Sequence, residues 1–88
     1  MSVSFGPTWD DGTEVGVRHA LNRVRRDTKR VRAGTTHRDN LRESLRQLNH
    51  AKRLHWESIG HDHVRLNENA ALSVQVRIAA EVAMTYVR

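Results

Sequence analysis

Cysteine is missing from all 88 residues, which excludes disulfides and thiolate metal sites and leaves a histidine or carboxylate site as the only staple besides a hydrophobic core. Lysine is almost missing: 2 of the 15 basic residues, Lys29 and Lys52, against 13 arginines. The opening residues, Met1 to Pro7, lack a basic stretch followed by an apolar run, so no secretory signal and no export are expected. No Gly-framed nucleophile, phosphate-cradling Gly-rich loop or facing pair of carboxylates is present, and an enzyme is not expected. No internal repeat of 20 to 50 residues and no low-complexity tail interrupts the chain.

Present instead is helical periodicity. Val17, Leu21, Val24, Thr28 and Val31 are spaced 4, 3, 4, 3, which keeps them on one side of an α-helix. Leu41, Leu45 and Leu48 resume the rhythm after Ala33-Gly34-Thr35-Thr36, and Lys52, His55 and Ile59 continue its spacing. Two amphipathic helices joined by a short turn, packed antiparallel through these seams, are therefore expected.

Asp11, three residues before Glu14, has the layout of a capping box, so the first helix is predicted to start near Gly12 or Thr13. Arg30 and Arg32 fit its negative C-terminal end and Gly34 supplies a left-handed stop. Thr36 is the expected N-cap of the second helix, with Asp39 at its third position. Lys52 and His55 interrupt the second seam, and Leu54 and Trp56 are expected to take over from them. Gly60 closes that helix, and Asp62 caps the next.

The third predicted helix runs from a polar start, Arg65 to Asn69, into a segment from Ala70 to Val87 whose only charges are Arg77 and Glu81. Leu72, Val76, Ala79, Ala83 and Tyr86 form one stripe, which Ile78 and Val82 widen. The alternation over Leu72–Ile78 also fits a strand, but one lone strand has no partner within the chain, and Ala-Ala-Glu-Val-Ala-Met is strongly helical. A membrane span is disfavoured because Arg77 and Glu81 each cost on the order of 2.5 to 3.5 kcal/mol near a bilayer centre.

Charge supplies the second signal. The formal balance is +5. A preference for Arg over Lys is what a high-GC genome produces, such as that of an actinobacterium or one of its phages. It also brings planar recognition of phosphate and carboxylate. Arg18, Arg25, Lys29 and Arg32 fall in one ridge of the first helix, and Arg42, Arg46 and Arg53 along the second. Such ridges can follow a phosphate backbone. Interleaved acids weaken that reading, since Glu14 can pair with Arg18 and Asp27 with Arg30, and no aromatic residue lies within the ridges to stack a base. Of the six histidines, His61 and His63 are weak candidates for a metal site together with Asp62 or His55. No cofactor is expected.

The sequence thus predicts an all-α, three-helix domain: a basic antiparallel helical hairpin (about 13–33 and 37–59) and an Ala/Val-rich C-terminal helix (about 63–87), with residues 1–12 as an irregular arm and 13–88 as one domain. The C-terminal helix is apolar over too wide an arc for one hairpin to cover, so a two-fold dimer is expected through Phe5, Trp9, Leu72, Val76, Ile78, Val82 and Tyr86. The expected function is a non-enzymatic interaction module, cytoplasmic or within a phage or protein assembly, a regulator, adaptor or structural subunit that contacts itself and another protein and no membrane. Its competitor is a nucleic-acid-binding accessory protein acting through the Arg ridges.

Overall fold

A computed structural model describes residues 12–88. The chain is all-α: four helices and, among the described residues, no strand. They are α1 (Glu14–Arg32), α2 (Arg38–Ile59), α3 (His63–Glu68) and α4 (Ala70–Val87). Leu72–Ile78 lies within α4 and is helical.

The helix ends follow from local chemistry, in places one residue from where the sequence puts them. Gly12 has φ +76°, which bars it from a right-handed helix. Thr13 is extended and its Oγ1 accepts a hydrogen bond from the Gly16 N–H at 3.1 Å, so Thr13 is the N-cap of α1; the expected cap, Asp11, lies outside the described residues. At the other end Gly34, φ +76°, donates to the Val31 carbonyl at 3.0 Å, and Thr35 donates to the Arg30 carbonyl at 2.8 Å. That pair of bonds is the Schellman closure a left-handed glycine allows. The N-cap of α2 is His37 and not Thr36. His37 Nδ1 accepts from the Asp39 N–H at 3.1 Å, while the Thr36 hydroxyl accepts from the Asn40 side chain at 2.7 Å. Asp62 caps α3 as expected, taking the N–H groups of Val64 and Arg65 at 3.1 and 3.2 Å.

The single C-terminal helix predicted over 63–87 is broken at Asn69, whose φ of −99° and ψ of 5° interrupt it. Asn69 is buried, and its side chain turns inward: Nδ2 donates to the Arg65 carbonyl at 2.8 Å, leaving Oδ1 facing His55 Nε2 at 3.0 Å. A buried polar group must find a partner, and the kink lets both Asn69 and His55 find one.

Chain direction is fixed by bonds between helices. Arg23 donates to Gln47 and Ser44 to Asp27, so positions fall along α2 as they rise along α1. Arg42 at the start of α2 donates to the Val87 carbonyl at 2.9 Å, while His55 near its end meets Asn69; α4 therefore runs opposite to α2 and alongside α1. Val17, Ala20, Leu21 and Val24 of α1 close on Leu41, Leu45, Leu48 and Ala51 of α2, with Leu72, Val76 and Ala83 of α4 completing the core. Burying one such Val or Leu side chain contributes about 1.5 to 3 kcal/mol.

His55 is buried inside the seam and does not yield to its neighbours. Trp56 is half-buried and meets the His55 ring edge-on, with centroids 4.8 Å apart. Lys52 is exposed, as a flexible ammonium with no buried partner should be.

Candidate functional site

The outward face of α4 is the largest departure from a sealed bundle. Leu72, Val76 and Ala83 point into the core, and a turn of 100° per residue places Val74, Ile78 and Val82 along the far side. These three are 43%, 53% and 46% exposed, and Met84 nearby is 44% exposed. Val15 and Val64 are also exposed, but they belong to other elements, and isolated apolar residues of that kind are ordinary. Of the residues expected at an interface, Leu72 and Val76 are committed to the chain's own core, Ile78 and Val82 are open, Tyr86 is half-buried, and Phe5 and Trp9 lie outside the described residues.

Beside this face α1 and α4 leave an open groove of about 530 Å³. Its α4 side is Gln75, Ile78, Ala79, Val82 and Tyr86, and its α1 side is Arg25, Thr28, Lys29 and Arg32. The spacing of the α1 cations, 4 then 3, places them on one ridge. Tyr86 of α4 lines the same groove as these cations, an aromatic brought to the basic ridge by packing and not by sequence. A second hollow between α2 and α4 is bordered by Asn49, Lys52, Arg53, Trp56 and Ser73.

The seven cations singled out as a phosphate-binding set separate into different environments. Arg18 is paired with Glu14 at 2.9 Å, Arg42 with Asp39 at 2.6 Å and Arg46 with Glu43 at 2.9 Å. Arg53 approaches the His50 ring at 3.4 Å and has no acidic partner among the described residues. Arg25, Lys29 and Arg32 have no acidic partner among the described residues, and neither have Arg26 and Arg30 between them. The reason is Asp27, the one acid in that half of α1. It does not meet Arg30 but is buried, bonded to the Ser44 hydroxyl and 3.7 Å from Arg23 Nε. Turning it inward leaves five cations on two turns of helix without a counter-charge.

Ser44 and His55 are held by bonds inside the bundle. Ser44 Oγ lies between the Asp27 carboxylate and the Asn40 carbonyl, 2.9 Å from the latter, so its one hydrogen is shared between two acceptors. His55 is held by Asn69, with its Nδ1 3.4 Å from the Gly12 carbonyl, and is unavailable to the suggested metal set. His61 and His63 are exposed, in the turn before α3 and at its first residue. The described residues contain no group of three or more His, Asp or Glu side chains arranged to hold a metal.

No protein-family model, curated protein or solved structure matches the chain. By length and composition alone, α4 is the one helix among the described residues apolar enough to cross a membrane, and little of it is buried in the bundle.

Proposed function

We propose that this chain is a non-enzymatic helical interaction module whose contact surface is the outward face of α4, and that a second copy is among its partners. The observation supporting this is the row Val74, Ile78 and Val82, half-exposed on a helix whose opposite face already fills the core. A small domain gains stability by covering such a row, at roughly 25 cal/mol per Å² of apolar surface removed from water. The groove beside it adds apolar surface bounded by cations, suited to a protein partner carrying carboxylates.

A second reading, phosphate-backbone binding, draws support from the five unneutralised cations of α1 and from Tyr86 beside them. It leaves the aliphatic row unexplained, because nucleic acid offers little to cover Val74 and Ile78.

Sedimentation velocity over a concentration series, alongside a salt titration of binding to nonspecific duplex DNA, separates the two. Reversible self-association, abolished by Ile78→Asp and accompanied by no DNA binding at low salt, is the expected outcome. A monomer at high micromolar concentration whose DNA affinity falls steeply with salt would replace this reading with the second.

A further inference from the structure

The outward face of α4 is self-complementary in a way that specifies how two copies meet. Val74 and Val82 stand symmetrically about Ile78, four residues to either side, and all three are exposed. Arg77 and Glu81 stand symmetrically about Ala79. Both are exposed, and neither forms an ion pair among the described residues, including with each other. At 100° per residue these two occupy one flank of the valine–isoleucine row, and the groove-lining Gln75 and Ala79 occupy the other.

Consider two α4 helices laid face to face. With the copies parallel, the two-fold axis runs along the helices and turns the Arg77–Glu81 flank of one copy toward the Gln75–Ala79 flank of the other, so neither charge gains an opposite partner. With the copies antiparallel and the axis passing at the level of Ile78 and Ala79, Val74 lies opposite Val82 of the second copy. Ile78 packs beside its own equivalent, and each Arg77 lies opposite the other copy's Glu81. Both charges then gain the partner they lack in the single chain, and the aliphatic row is covered along its length. The α1 cations, on the other flank, take no part.

We infer that the chain forms an antiparallel, two-fold α4–α4 dimer centred on Ile78, held in register by reciprocal Arg77–Glu81 ion pairs. The inference rests on the self-association proposed above and adds its geometry. Because a single helix pair covers less than the about 1,200 Å² typical of stable interfaces, the dimer is weak and reversible.

Charge reversal tests it, using the full chain and sedimentation velocity at high micromolar concentration. Arg77→Glu and Glu81→Arg each place like charges across the axis, so each alone is expected to weaken self-association by about tenfold or more. The double variant restores the pairs in reversed order and is expected to recover wild-type association. An equimolar mixture of the two single variants gives a hetero-pair in which every contact is again opposite in sign, and is expected to dimerise where neither variant does so by itself. Both positions are exposed, so far-UV circular dichroism and the melting temperature of the monomer, taken at low micromolar concentration, should be nearly unchanged in all variants.

Self-association in which the single variants match wild type, or in which neither the double variant nor the mixture recovers, overturns this geometry while leaving the interaction reading standing. A wild-type chain that stays monomeric overturns both. So does a monomer that binds phosphatidylcholine vesicles, which would identify lipid as what covers α4.

Discussion

The α1–α2 pair and α4 solve the same problem differently. Along α1 and α2 the apolar positions face inward and the outward positions are charged, many of them paired within a turn, as Glu14–Arg18 and Glu43–Arg46 are. Along α4 one face is buried through Leu72, Val76 and Ala83, while the other is aliphatic and exposed. Folding accounts for most of the first pattern, apart from the five α1 cations without an acidic partner among the described residues. It accounts for half of the second, and the exposed aliphatic half is the surface on which the proposed self-association rests.

Substitutions can press on that difference. The largest effect is expected at Leu48, which is fully buried between the helices. Leu48→Ala removes packing and leaves a cavity, so urea unfolding of the monomer should show a loss of about 2 to 5 kcal/mol. Asn69→Ala leaves the buried His55 Nε2 without its partner, and the expected loss is about 1 to 3 kcal/mol. An undiminished stability there would mean that the polar contact does not hold α4 against α2. Thr13→Ala removes the N-cap of α1 at a cost of about 1 kcal/mol, read from the same unfolding curves. On the outward face Val82→Ala should change monomer stability by no more than about 0.5 kcal/mol while measurably weakening self-association. A large loss of monomer stability at Val82 would erase the distinction between the two faces.

The α1–α2 region was legible in the sequence because its signals are local. The 4, 3 spacing of Val17, Leu21 and Val24, the stop at Gly34 and the leucine ladder 41, 45, 48 each act within one or two helical turns. The features that escaped depend on residues far apart in the chain. Asn69 looks like one more polar residue at a helix start; it becomes a break because His55, fourteen positions earlier, needs a buried acceptor. Asp27 looks available to Arg30 until Ser44 draws it inward. Tyr86 joins the α1 cations only through packing.

On α4 the limitation is of another kind. A helix apolar on both sides has no amphipathic contrast, so the pattern predicted exposed apolar surface without saying which residues carry it. Leu72 and Val76 went to the core, and Val74, absent from the expected interface, stands outside.

The most direct test follows methyl groups by heteronuclear NMR while the protein is diluted from high to low micromolar concentration. The account predicts that the methyl resonances of Val74, Ile78 and Val82 shift with concentration, while those of the exposed Val15 and Val64 and of the buried Val17 and Leu48 hold still. Shifts confined to Val15 and Val64, or none at any concentration, would contradict it.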